Sequence, residues 1–467
     1  MKILLVEPPK SPLSVGGEDI FLFEPLALEY VGAGVAPGHQ VRLLDMRIDP
    51  NLGATLDEFA PGVVGFTSYT VHVDVVKSLA AEVKKWNPNA LTVVGGHHAT
   101  VAPEDFQSPH VDLVVAGEGV TAFQEIVRRL GDGNDFQGIP GVAVTSSQGP
   151  LTVEPILDIT LDSLPFPNRR LSAPYRERYF SEWMQPLASM RTSKGCPFRC
   201  SFCSLWKLTC GKYLGRDPDR IIEELATIDE EFVFFADDES LVDAERMATL
   251  AEKIETAGIH KRYFLYGRAD TIARHPELLA AWARIGLERV FVGLEFFRDS
   301  DLALINKGSS INDNLAAVTI LHDLGIEIYG SFIILPEFDH PDFAALKHYC
   351  RELEIDFASF AVLTPLPGTD LMEEVEHRLL TDNPAFFDFI HTVLPTTLPL
   401  EDFYREYIHL MLYASPATKR ISLLRKFGLS RLPFVFAVTY KLTRQLRSLH
   451  LDYKDLPGRT PSAKASA

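Results

Sequence analysis

Residues Ser193–Leu208 read SKGCPFRCSFCSLWKL, which puts three of the chain's five cysteines, Cys196, Cys200 and Cys203, within eight residues. The spacing is C-x3-C-x2-C. Structural zinc takes four ligands, often as two distant C-x2-C pairs, and Cys210 and Cys350 stand apart from the cluster. A thioredoxin-like pair exists in CSFC, but redox motifs do not need the additional cysteine four residues earlier. Three thiolates on one iron–sulfur cluster would leave one iron without a protein ligand, and an open iron can hold a substrate.

Outward from this loop, a βα series begins near Leu187, with the cysteines directly after its first strand. Later strands read FVFFADD, YFLYGRAD, RVFVGLE, IEIYGSFIIL and FASFAVLTPLPG, with helices between them. Six βα units suit a partial (β/α)6 TIM-type barrel, whose chemistry sits at the carboxyl ends of its strands. Toward the N-terminus, KILLVEP, HQVRLLDM, VVGFTSYT, LTVVGG and VDLVVAGEG alternate with helical stretches such as LALEYVGAGV and VDVVKSLAAEVKKW. Apolar strands alternating with amphipathic helices predict a Rossmann-like parallel sheet covered on both faces. Its strand ends read EPP, TSYT, GGHHAT and GEG, where such sheets bind ligands.

The fold class is therefore α/β, with a first domain over 1–150, a Pro-rich linker over 151–186, the partial barrel over 187–375 and a mainly helical region over 376–467. A hairpin-like stretch, GIPGVAVTSSQGPLTV, closes the first domain. A chain of 467 residues is too long for one ordinary core. Five cysteines, an odd number and mostly clustered, do not form a disulfide framework and point to a reducing compartment. The N-terminal MKILLVEPPK reads as a strand and not as a signal peptide, and no apolar run nears the roughly 20 residues that span a bilayer. The cytoplasm is the expected location.

A net charge of −18 argues against nucleic-acid partners. From Pro416 onward, however, eleven Lys/Arg face two Asp/Glu. There KRISLLRKFGLSRLPFVFAVTYKLTRQLRSL mixes apolar and basic residues at helical spacing, which reads as a membrane-surface element.

The cysteine triad, on a loop after the first strand of a partial barrel and with an aromatic before the last Cys, resembles the radical S-adenosylmethionine (SAM) superfamily. The resemblance implies that Cys196, Cys200 and Cys203 hold a [4Fe–4S] cluster whose open iron chelates SAM. It further implies that Asp237 and Asp238 lie near the SAM amino group or the substrate, that Arg268 pairs with the SAM carboxylate, and that Glu295 lies near the ribose. G-x-G-x-x-G is missing after the first strand, so a dinucleotide is a weak reading of the first domain.

GGHHATVAPED and VVAGEG resemble instead the cobalamin-binding domain of one branch of that superfamily. Ser68, Thr70, Gly95 and Gly96 would take the corrin and its nucleotide tail, with His98, Gly117, Glu118 and Gly119 beside them. D-x-H-x-x-G is absent, so Tyr69 to His72 would face the lower side of cobalt. The chain has GEGV where the family favours GEGE, so Val120 departs from it. Phe389 to Leu412 resembles the region after the barrel in hopanoid C-3 methylases.

The implied activity is methyl transfer from SAM through cobalamin to an unactivated carbon of an apolar, hopanoid-like substrate, with flavodoxin or ferredoxin as electron donor. An oxidative cyclase acting on a tetrapyrrole and a non-catalytic cobalamin or redox sensor are the alternatives.

Overall fold

The computed structural model describes residues 1–131, 133, 135–145, 151–157, 159–428, 431–454 and 456. Six strands near the N-terminus form one sheet: β1 (Lys2–Glu7), β2 (Gln40–Asp45), β3 (Val63–Thr67), β4 (Leu91–Gly95), β5 (Leu113–Val115) and β6 (Val142–Val144). Their order is β2-β1-β3-β4-β5-β6. All pairings are parallel except that of β5 with β6.

Alternation along β1 assigns its side chains to the two faces. Leu4 and Val6 join the cluster under helix α3 (Val73–Trp86), and Ile3 and Leu5 join the one under α5 (Gly119–Leu130). Helices α1 (Leu26–Gly34), α2 (Leu52–Phe59) and α4 (His97–Val101) complete the layers. The strand order reverses at β1, so a crevice opens where Glu7 and Thr67 end their strands.

The second sheet holds β7 (Leu187–Met190), β8 (Phe232–Phe235), β9 (Arg262–Arg268), β10 (Leu287–Glu295), β11 (Glu327–Ile334) and β12 (Phe357–Val362). These strands are all parallel and lie side by side in chain order, as in an incomplete barrel. Helices Leu400–Tyr413 and Leu432–Ser448 bury Tyr404, Tyr407, Leu442 and Leu446 in the same apolar cluster as the barrel.

The Pro-rich connector binds both sheets' surroundings. Arg169 donates to Glu24 at 2.7 Å and Glu224 at 2.8 Å, and Arg176 pairs with Glu24 and, at 3.0 Å, with Glu230. Phe21–Leu22 pairs antiparallel with Phe180–Ser181. Glu24 lies just before α1 and Glu224 in the barrel, so this buried ion network ties the first domain to the second.

Of the expected hairpin over 138–153, β6 is the described strand, and its turn at 146–150 lies outside the described residues. Residues 151–157 contribute a bridge from Ile156 to Gly117. Among the described residues, no helix is long and apolar enough to cross a membrane.

Candidate functional site

The carboxyl ends of the two sheets face one cavity of about 740 Å³. Glu7, Thr67 and Tyr69 line it from the first sheet; Cys196, Cys200, Cys203, Asp237, Asp238, Arg268 and Glu295 line it from the second. Most residues predicted for the second domain thus come together, but several are already engaged by the protein.

Asp237, at the tip of β8, is buried, and its carboxylate accepts from Thr192 N at 2.7 Å, Thr192 Oγ1 at 2.6 Å and Ser193 N at 2.8 Å. It fixes the chain entering the cysteine loop. Asp238 continues that support by accepting from Gly195 N at 2.6 Å. Burial raises the Asp237 pKa, opposed by these hydrogen bonds.

Arg268 is equally engaged. Its guanidinium donates to Asp270 at 2.9 Å, to the Lys307 carbonyl at 2.5 Å and to Cys200 Sγ at 3.8 Å, and it stacks 3.7 Å from the Phe198 ring centroid. Its nearest sulfur is therefore a cysteine of the triad. At the end of β10 the pairing shifts register, and Glu295 takes a φ of +61°. Its carboxylate accepts from Lys307 Nζ at 2.6 Å. A Cβ on Gly293 would lie 2.6 Å from Glu295 Oε1 and 2.7 Å from Lys307 Nζ, so glycine there makes room for the pair.

Glu239 was not foreseen. It lines the same cavity, accepts from Arg268 N at 3.1 Å through Oε1 and leaves Oε2 without a protein partner. Burial lifts its pKa to about 7. Lys307 was also missed, because INKGSS has no periodicity and lies twelve residues from Glu295. Glu239 had a signal: a third acid immediately after Asp-Asp at a strand end.

The first sheet presents a different surface. A narrower cavity of about 160 Å³ lies between strand ends and helices α1 and α5. Gly65, Gly95, Gly96, Gly117, Glu118 and Gly119 line it, with Val93, Phe123 and other apolar groups. Two of the glycines are demanded by the chain itself. At φ +103° a Cβ on Gly96 would sit 2.7 Å from Ser68 N, and at φ +89° one on Gly117 would sit 2.2 Å from Ile156 O. At both positions it is neighbouring backbone that leaves no room for a side chain.

Three further expectations need correction. Glu118 lines the slot, but its carboxylate caps α5, accepting from Val120 N at 2.6 Å and from Thr121 N at 3.0 Å and Oγ1 at 2.7 Å. His98 is fully buried and lines neither the shared cavity nor this slot: Nδ1 lies 3.1 Å from Thr70 Oγ1 and Nε2 2.8 Å from Asp105. Ser68 is likewise buried and donates to the Tyr69 carbonyl at 3.1 Å. A polar group inside a fold must pair, and these pair locally.

Tyr69 does the opposite. Its side chain is 57% exposed, toward the interior cavity, and stacks near His97 with centroids 6.0 Å apart. His97 in turn lies 2.9 Å from Ser204 Oγ, next to Cys203. Burial lowers the pKa of both His72 and His97 to about 4.

The donor set fits an iron–sulfur cluster. All three thiols come from one loop and reach one cavity. Burial pushes Cys196 up to about 11 and Cys203 up to about 12, so their thiolates need a nearby positive charge, which coordinated iron provides. Among the described residues, no three His, Cys, Asp or Glu converge on a position for a single metal ion. Cys350 is buried in the barrel core and Cys210 is exposed; neither lines these cavities. The apolar slot and the open Tyr69 ring suit a broad ligand with an aromatic appendage.

Comparison with known proteins matches residues 16–127 to the B12 binding domain and 190–350 to the radical SAM superfamily. The hopanoid C-3 methylase of Methylococcus capsulatus is 33% identical over 416 residues, 87% of this chain and 79% of that protein. The radical SAM methyltransferase TsrM of Kitasatospora setae, solved with cobalamin and a [4Fe–4S] cluster, superposes with a TM-score of 0.65 at 20% identity, covering 80% of this chain and 74% of that one. The cobalamin-dependent SAM radical enzyme OxsB, with aqua-cobalamin, gives 0.69 at 14% identity over 97% and 80%.

Proposed function

The chain belongs to the B12-binding radical SAM family, as a cobalamin- and SAM-binding enzyme, and from that premise we propose that it methylates an unactivated carbon of an apolar, hopanoid-like substrate. The observation that carries the reading is the single cavity in which the three cysteines stand opposite Thr67 and Tyr69. That arrangement suits a reaction in which substrate sits between two cofactors.

In this reading Cys196, Cys200 and Cys203 hold the cluster, and the slot at Gly65 and Gly95 takes the nucleotide tail of cobalamin. When bound, the cluster would supply one-electron reduction of SAM and cobalamin would carry a methyl group. Asp237 and Asp238 position the cysteine loop from the tip of β8. Glu239, lining the same cavity, would stand beside the SAM amino group, and Arg268 holds Cys200 Sγ at 3.8 Å. Phe202, Phe234, Tyr266 and Phe291, on the cavity wall, exclude water from the reacting carbon.

A flavodoxin or ferredoxin supplies electrons, the enzyme works in the cytoplasm, and its basic C-terminal region contacts a membrane surface. The substrate class rests on the hopanoid C-3 methylase relative.

The test is anaerobic reconstitution with iron, sulfide and cobalamin, followed by incubation with methyl-labelled SAM, reductant and a polycyclic triterpene. Label in the product, with 5′-deoxyadenosine released, supports methyl transfer. 5′-Deoxyadenosine without labelled product supports a cyclase; neither product supports a sensor. Cys200→Ala removes the cluster's visible absorbance and reduces both products to background.

A further inference from the structure

A second chamber, of about 540 Å³, adjoins the site: Phe21, Phe23, Tyr69, Phe202, Cys203 and Leu205 line both. Much of its apolar wall comes from the segment Ser11–Phe23 and from Leu366, Phe387 and Phe389, and charged or polar groups such as Glu7, Lys10, Arg47 and His72 line it as well. Three large side chains turn toward this space instead of into the protein: Phe21, Tyr69 and Phe389, which are 38%, 57% and 47% exposed. The wall's charged groups are largely engaged or neutralised: Arg47 is paired with Asp45 at 2.6 Å, Asp388 with His391 at 3.0 Å, Lys10 donates to the Gly16 carbonyl at 3.2 Å, burial raises the pKa of Glu7 and Glu18, and burial keeps His72 and His97 neutral. Rings facing an open, weakly charged chamber are what a largely hydrocarbon molecule would cover.

The outer wall of this chamber is carried by the Leu432–Ser448 helix. Lys441 Nζ lies 2.7 and 2.9 Å from the carboxylate oxygens of Asp19. Val15 is buried in the same cluster as Leu442, Leu446 and Leu449. The helix therefore rests one face on the chamber wall.

Its other face is bare. Phe434, Phe436 and Tyr440 are 52%, 65% and 71% exposed. Phe436, Tyr440, Arg444 and Arg447 follow one another at helical spacing and so share a side. Arg431, Arg444 and Arg447 are exposed and, among the described residues, make no ion pair. The residues from Pro416 onward carry +9, against −27 over the first 415, so an anionic surface attracts this end and repels the rest. Aromatic rings beside unpaired arginines on one helix face match the boundary of an anionic bilayer.

We infer that this helix seats the protein on anionic bilayers, and that the chamber behind it takes a hydrocarbon substrate from the bilayer past the Ser11–Phe23 segment. The seating is independent of the methyltransferase reading; only the tenant's role as substrate rests on it.

The test uses the full chain without cofactors, floated with vesicles of phosphatidylcholine alone or with added phosphatidylglycerol. Binding is expected to the anionic vesicles and to weaken with salt. R431E/R444E/R447E lowers that binding by roughly 100-fold. F434S/F436S/Y440S lowers it at high salt as well. Vesicles carrying diphenylhexatriene report loading: once high salt has released the chain and the vesicles have been floated away, the probe co-elutes with the chain.

Phe389→Glu and, independently, Leu366→Trp abolish probe uptake without changing vesicle binding. Equal binding to both vesicle types, or binding untouched by the arginine reversal, overturns the membrane seat. Probe uptake that survives both chamber variants overturns the chamber. Positive results here with no labelled product from methyl-labelled SAM would remove the methyltransferase reading and leave the lipid-loading one standing.

Discussion

The two sheet ends that share the cavity are built on opposite principles. At the barrel end, side chains are wired to one another: Asp237 to Thr192 and Ser193, Arg268 to Asp270 and Cys200, Glu295 to Lys307. At the first sheet's end, glycines and apolar groups leave a slot, and Tyr69 projects without a packing partner on its open side. A cluster and a small charged ligand need fixed points of charge and hydrogen bonding. A corrin needs area and an opening for its tail. The molecule separates the two tasks onto two sheets and joins them through the Glu24–Arg169–Glu224 network.

The contrast can be broken first at its most wired point. Lys307 and Glu295 are both buried, their side chains 6% and 8% exposed. Replacing Lys307 with Met strands the Glu295 carboxylate, and losing one member of a buried pair costs about 3–5 kcal/mol. A fall of that size in the unfolding free energy, read as a lowered denaturant midpoint, is expected, with the cluster's absorbance lost as the cavity floor loosens. A midpoint unchanged from the parent would show that the wiring is not structural.

Glu7, which ends β1 and faces the shared cavity, tests the open side through pH. Burial raises its pKa from 4.5 to about 7, against the attraction of Arg47. The folded chain therefore keeps a proton that the unfolded chain releases, so this group's contribution is fullest below 4.5 and is lost as pH climbs to about 7. Glu7→Gln should flatten that slope and stabilise the cofactor-free protein near neutrality by no more than about 3 kcal/mol. Thermal melts across the interval check it, and an unchanged slope assigns the titration elsewhere.

The smallest effect is confined to one ligand. A Cβ on Gly95 would meet Val115 Cβ at 3.6 Å, an ordinary contact, so the fold accepts a side chain that then fills the slot. Overpacking of this kind costs about 1–3 kcal/mol, or about five- to 150-fold in affinity. Gly95→Leu should weaken cobalamin binding by that factor, read by spectral titration, while leaving cluster absorbance intact. Loss of both together would mean that the two ends are not independent.

The strands were legible because buried parallel strands are short continuous apolar runs: KILLVE became β1 and FVFF became β8. The short helix beginning at His97 was hidden behind what reads as a polar loop. Within the site, the cysteine loop follows a strand and Arg268 and Glu295 end theirs, where barrel chemistry collects, and it was the family resemblance that singled those two out. Their partners were not. Lys307 lies in an irregular turn, and Glu239 reads as one more acid among several.

Amino-acid order alone determined the succession of strands and helices, the spacing of Cys196, Cys200 and Cys203, and the opposed charges of body and tail. Those are local properties, set by periodicity, spacing and count. Tertiary structure decided which polar groups remain available: it turned His98, Ser68, Asp237 and the Glu118 carboxylate inward as supports, left Glu239 Oε2 buried without a hydrogen-bond partner, and left the Tyr69 ring facing the cavity. The reason is physical. A buried donor or acceptor pairs with whatever the fold sets beside it, however distant along the chain.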